Sequence, residues 1–185
     1  MNRLIIITGL ALVIPGLLFA QINWTQHTIT DSFDGALSAY AIDLDDDNDI
    51  DILGAAYIDD DITWWENDGD ENFTEHTIAD NFNGANSVFA IDMDDDDDVD
   101  VLGTAGAADD ITWWENNGDS PPNFTEHTIA DNFDGARSIY AIDLDDDNDV
   151  DVFPWRLWKI WVQALHSSLS SAKSNLENTQ IRNQS

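Results

Sequence analysis

Tyr40, Ile42 and Leu44 alternate with small or polar residues, the period of a half-buried β-strand, and Ile50 and Ile52 resume that alternation after a polar interval. Two segments rich in β-branched and aromatic residues follow, "ITWWE" (Ile62 to Glu66) and "FTEHTI" (Phe73 to Ile78), separated by the turn-forming cluster "NDGDEN". The pattern predicts a unit of four short strands joined by hairpins.

The unit recurs. "AIDLDDDNDIDILG" (Ala41 to Gly54), "AIDMDDDDDVDVLG" (Ala90 to Gly103) and "AIDLDDDNDVDVF" (Ala141 to Phe153) are three copies of one segment. The step is about 50 residues. "DITWWEN" recurs at Asp61 and Asp110, "NFTEHTIAD" at Asn72 and Asn123, and "DSFDGA", "DNFNGA" and "DNFDGA" at Asp31, Asp80 and Asp131. Four strands per repeat at this period predict an all-β chain, a partial β-propeller of four-stranded antiparallel blades. "WTQHTIT" (Trp24 to Thr30) matches the fourth strand of the unit without the first three. The expected organisation is a leader over residues 1–20, blades over 21–153 (repeats about 31–79, 80–130 and a truncated 131–153), and a divergent tail over 154–185. Two and a half blades are expected to be too few to close a ring.

Charge sharpens this picture. Formal net charge is −32, and of 38 acidic residues only Glu177 lies outside the repeats, where Arg137 is the single base. Phosphate binding needs clustered Lys and Arg, so nucleic acid is excluded as a partner and cations are expected instead. With no Cys, neither disulfides nor thiolate metal sites can staple the chain. The N-terminus reads as a secretory signal: Met1-Asn2-Arg3 is a basic start, Leu4 to Leu18 an apolar core, and Ala20 a small residue before the cut. A secreted or cell-surface location follows. An uncleaved membrane anchor is the alternative, and a lipid anchor on Cys is excluded.

These residues resemble the FG-GAP or VCBS-type repeats of extracellular β-propellers, similar in kind to the propeller of integrin α chains. The resemblance covers Trp24 to Phe153, with departures at Phe33-Asp34-Gly35 and Gly54-Ala55-Ala56. It implies a nine-residue calcium loop in which side chains at positions one, three, five and nine and the carbonyl at seven bind the ion. Carried over, that gives Asp43, Asp45, Asp47 and Asp51 with the Asp49 carbonyl. The second loop gives Asp92, Asp94, Asp96 and Asp100 with Asp98, and the third gives Asp143, Asp145, Asp147 and Asp151 with Asp149.

The residues argue in the same direction. Carboxylates at alternate positions repel one another unless a cation screens them, and Ca²⁺ takes six to eight oxygens at roughly 2.3 to 2.6 Å with loose geometry, where Mg²⁺ demands a strict octahedron. An EF-hand is a poor alternative, because its twelfth position, a Glu, is Gly54 or Gly103 here. A solvated acidic turn without an ion is the bland alternative. Position six is Asn48, Asp97 and Asn148, where positive φ is expected; Asp tolerates it less than Asn, so the second loop should have the weakest geometry.

Other candidates are weaker. Trp64-Trp65 and Trp113-Trp114 suggest core packing ahead of a sugar-binding platform. His27, His76 and His127 read as strand-face residues rather than metal ligands. Asp59-Asp60-Asp61 and Asp109-Asp110 mark a solvated hairpin loop. No nucleophile motif, phosphate-cradling loop or zinc signature occurs, so no catalysis is expected, although a carboxylate pair for glycoside cleavage stays open.

The tail breaks the pattern within a blade. Trp155, Trp158, Val162, Leu165 and Leu169 follow three-four spacing, which predicts a short amphipathic helix from about Trp155 to Ala172. Such a helix would rest on a membrane surface or an acidic blade; a frameshifted gene end is the favoured reading, since local and global signals conflict there. The function expected is a secreted calcium-binding repeat protein with a structural, adhesion or interaction role, binding an extracellular protein or glycan, and open to self-association through its blade edges. The alternative is the lectin-like part of a polysaccharide-active protein.

Overall fold

The computed structural model describes residues 25–156. The leader, and the expected helix beyond Arg156, lie outside the described residues. The described chain is all-β, built of antiparallel sheets in the propeller-like manner the repeat predicts. The first four-stranded sheet runs in sequence order through β1 (Ala36–Ile42), β2 (Asp51–Ala56), β3 (Asp61–Asn67) and β4 (Phe73–Ala79). The second repeats it with β5 (Ala85–Ile91), β6 (Asp100–Ala105), β7 (Asp110–Asn116) and β8 (Phe124–Ala130). A third begins with β9 (Ala136–Ser138), β10 (Ala141–Ile142), β11 (Asp151–Val152) and β12 (Trp155–Arg156), in which β9 pairs with β12 and β10 with β11.

Register is conserved across the blades. Ala36 faces Ala56 and Ser38 faces Ala55 across a bulge; Ala85 with Ala105 and Ser87 with Thr104 repeat it. Ala136 with Arg156 and Ser138 with Trp155 do so a third time. The blade therefore extends past the boundary expected at Phe153. Trp155 and Arg156 belong to a strand, and the helix expected to begin at Trp155 does not begin there. Interior pairing overrides the local three-four pattern, because the β9 backbone offers these two residues hydrogen-bond partners in register. Pro154 has no N–H to give a ladder, and the hairpin is split at its position. Mutual bonds between Tyr140 and Phe153, at 3.3 and 2.7 Å, hold the halves together.

Thr25 to Thr30, expected as an orphan fourth strand, form no strand. A fourth strand pairs only with a third, as β4 does with β3, and none of the described strands is free to play that part.

The core lies between blades rather than within one. Alternate residues of each strand point to opposite neighbours. Leu53 and Trp64 of the first sheet meet Val88, Val101 and Trp114 of the second. Leu102 and Ile111 on the other face of the second sheet meet Phe133, Ile139 and Val152 of the third. Trp64, Trp65 and Trp114 are buried, so core packing is their role. Phe33 meets Trp65 edge-on with ring centroids 4.8 Å apart, and Phe82 meets Trp114 at 5.0 Å. Glycine is required beneath these pairs: a Cβ on Gly54 would lie 2.6 Å from the Trp65 ring and 2.8 Å from Phe33.

Candidate metal centres

Each acidic loop joins the first two strands of its blade, and its carboxylates first fold the loop itself. Asp43 accepts the N–H groups of Asp47 (3.2 Å) and Asn48 (3.0 Å), and Asp47 accepts that of Asp49 (2.8 Å). Asp92 accepts from Asp95, Asp96 and Asp97, and Asp96 from Asp98. Asp143 accepts from Asp147 and Asn148, and Asp147 from Asp149. Position six takes positive φ as expected, at 73° for Asn48, 75° for Asp97 and 68° for Asn148. Position four does so as well, at Asp46, Asp95 and Asp146, which the sequence pattern left unnoticed. Short polar side chains that bond locally are the ones that tolerate this conformation.

Three carboxylates converge in each loop. Asp43, Asp45 and Asp51 bring one oxygen each within 4.8 Å of one another; Asp92, Asp94 and Asp96 do so in the second loop, and Asp143, Asp145 and Asp151 in the third. Oxygens bound to one Ca²⁺ at roughly 2.3 to 2.6 Å lie no farther apart than about twice that distance. The clusters could hold a metal ion. Asp47 and Asp147 stand outside these triads, as does Asp100, whereas their counterparts Asp96, Asp51 and Asp151 lie inside. The carboxylates of Asp49 and Asp98 turn away toward the next hairpin, where a Cβ on Gly69 or Gly118 would collide with them. That orientation suits the expectation that position seven would bind through its carbonyl.

The ninth position has a second task. Asp51 is buried, accepting the N–H of Leu44 at 3.1 Å and that of Asn67 at 2.8 Å. Asp100 likewise accepts from Met93 and Asn116, both at 2.8 Å. This carboxylate thus ties the loop to the end of the third strand. Burial pushes Asp100 up to about 6 despite those two bonds, and raises Asp51 as well. Asp45 is also pushed up to about 6, by burial first and then by Asp47, Asp51 and Glu66. Asp94 is raised for the same reasons, burial ahead of Asp96 and Glu115.

The fit to a cation rests on two equivalent atoms. Asp45 Oδ1 and Asp94 Oδ1 are buried and accept no hydrogen bond. A buried carboxylate oxygen without a donor is costly, and a metal ion held at the triad would supply the missing partner.

Sequence reasoning missed two groups around the site. Asn67 and Asn116 each accept the N–H two residues on, and Asn116 Nδ2 donates to Val99 O (3.1 Å) and, across the blade boundary, to Leu44 O (3.3 Å). Asn before Asp-Gly or Asn-Gly at a hairpin was the available signal. Asp60 and Asp109, expected in a solvated loop, instead accept the N–H of Gly84 and Gly135 in the following blade, at 2.6 and 2.8 Å. His76 and His127 stack on Trp64 and Trp113 and pair with Glu66 and Glu115 at 2.7 and 2.6 Å. They lie on the fourth strands, and neither belongs to a carboxylate triad. A scan against models of known protein families gives no match, and no curated protein matches the chain.

Proposed function

We propose that this is an exported repeat protein of the FG-GAP or VCBS kind, in which one calcium ion clips the first hairpin of each blade, and whose role is structural: a rigid scaffold for adhesion or protein interaction. The observation that carries the reading is the pair of orphaned oxygens, Asp45 Oδ1 and Asp94 Oδ1, at the same position of two loops. The residues that would hold the ion are Asp43, Asp45, Asp47 and Asp51, with Asp92, Asp94, Asp96 and Asp100, and Asp143, Asp145, Asp147 and Asp151, plus the carbonyls of Asp49, Asp98 and Asp149. The ion supplies positive charge where the loop's carboxylates repel. An ion that binds only the folded loop adds RT ln(1 + [L]/Kd), about 2.7 kcal/mol per site at a hundredfold excess over Kd. Extracellular modules work at roughly 10⁻⁴ to 10⁻³ M, which suits a chain with a leader of the secretory type. Burial of Trp64, Trp65 and Trp114 supports core packing of these three rings ahead of a sugar-binding platform.

Thermal unfolding followed by circular dichroism tests this. The midpoint should rise with millimolar calcium, and rise less once Asp45→Asn and Asp94→Asn are introduced. Equal midpoints in calcium and in excess chelator would refute the clip.

A further inference from the structure

The described blades leave two open faces, and each carries the half that the other lacks. Leu44 of the first blade is 2 % exposed, packed in one cluster with Ala85, Val88 and Ala90 of the second. Met93 repeats this contact against Ala136, Ile139 and Ala141 of the third. Polar contacts repeat too: Val88 N donates to Ser38 Oγ at 3.3 Å, and Ile139 N to Ser87 Oγ at 3.4 Å.

At the third blade the same loop position, Leu144, is 62 % exposed, with Tyr140 and Ile142 exposed beside it. At the first blade Ala36, Ala39 and Ala41 are exposed, whereas their counterparts in both later blades are buried. Ile50 is 54 % exposed next to them. Asn67 Nδ2 donates to Ile50 O, while its counterpart Asn116 adds a bond to the preceding blade at Leu44 O.

We propose that a second copy of this chain covers these faces head to tail. Leu144 of one copy packs on Ala39, Ala41 and Ile50 of the other, Ser138 Oγ accepts the N–H of Ala39, and Asn67 Nδ2 takes up the Leu144 carbonyl. The argument for a second copy is continuity: the chain makes this contact twice within itself, in the same register, and its own first blade offers the matching face. Propellers close with about four to eight blades. Reciprocal head-to-tail contact between two copies covers both open faces of each. Like charge opposes the contact, since each copy carries a formal net charge of −32. Association is therefore favoured by salt, which screens exposed charges.

Sedimentation equilibrium of the full chain at physiological ionic strength, with and without calcium, reads the outcome. A dimer is expected, with Leu144→Asp and Ala39→Arg each weakening it roughly tenfold or more by removing buried apolar contact, while far-UV circular dichroism stays unchanged. The chain has no native Cys, so Ala39→Cys with Ser138→Cys gives a second readout, a covalent dimer under oxidising conditions. A monomer at every concentration, association indifferent to both variants, or a series of masses beyond two copies would overturn the proposal.

Discussion

Leu44 and Leu144 occupy the same place in nine-residue loops that differ only at Ile50 against Val150, yet the first is 2 % exposed and the second 62 %. Trp64 and Trp113 tell the same story: both lie in "DITWWEN" and both stack on a histidine, but Trp64 is buried and Trp113 only half-buried. The neighbour explains the difference. Leu44 and Trp64 face a complete second sheet, whereas Trp113 faces the third blade at a place where the described residues supply no third strand. In a stacked-repeat architecture each unit buries its apolar face only against the next. Burial is thus decided one repeat away from the residue concerned.

The largest effect that separates an inner blade from an open one is expected at the ninth loop position. Asp100→Ala leaves the N–H groups of Met93 and Asn116 buried without acceptors, for a loss of about 2–6 kcal/mol. Asp151→Ala should cost less, because Leu144, whose N–H it accepts, is exposed. Denaturant unfolding of both variants measures the gap, and equal losses would break the comparison. Next in size is the leucine pair. Leu44→Ala should cost about 2–5 kcal/mol, and Leu144→Ala, in dilute protein, under about 0.5 kcal/mol.

A smaller effect concerns pH. Asp45 and Asp100 have folded-state values of about 6 against 3.8. Between those values the folded state holds more protons than the unfolded one, so stability falls as pH rises through that window and levels off above it. In chelator, the unfolding midpoint should rise as pH drops from 7 to 5. In calcium the sign reverses, since the ion favours ionised carboxylates. Midpoints recorded at both pH values in both buffers check this, and the same sign in both would speak against a cation at Asp45.

Much of this was legible in the sequence because repetition supplied the evidence that a single copy lacks. Alternation at Tyr40, Ile42 and Leu44 placed the strands, and the recurrence of "AIDLDDDNDIDILG" placed the loops on the first hairpin of each blade. What escaped were contacts between blades. Asp60 and Asp109 look solvated in sequence, yet they hold the N–H of a glycine in the following blade. Asn116 reaches Leu44 O across the same boundary, and nothing within "WWENNG" announces it. At Trp155 the helical spacing was real but lost to strand pairing with Ser138, a partner distant in sequence. In the loops, the alternate-position pattern pointed to Asp43, Asp45, Asp47, Asp49 and Asp51 together, of which Asp43, Asp45 and Asp51 converge. It did not distinguish Asp47, outside that triad, from Asp96, inside its own.

The central claim is that each acidic loop binds one calcium ion, and counting ions tests it most directly. Equilibrium dialysis of the chelator-stripped full chain against calcium should give one ion for each of the three carboxylate triads, at roughly 10⁻⁴ to 10⁻³ M. The second loop should be the weakest, and Asp45→Asn and Asp94→Asn should each weaken or remove one ion. No saturable binding, or binding that both variants leave unchanged, would contradict the account.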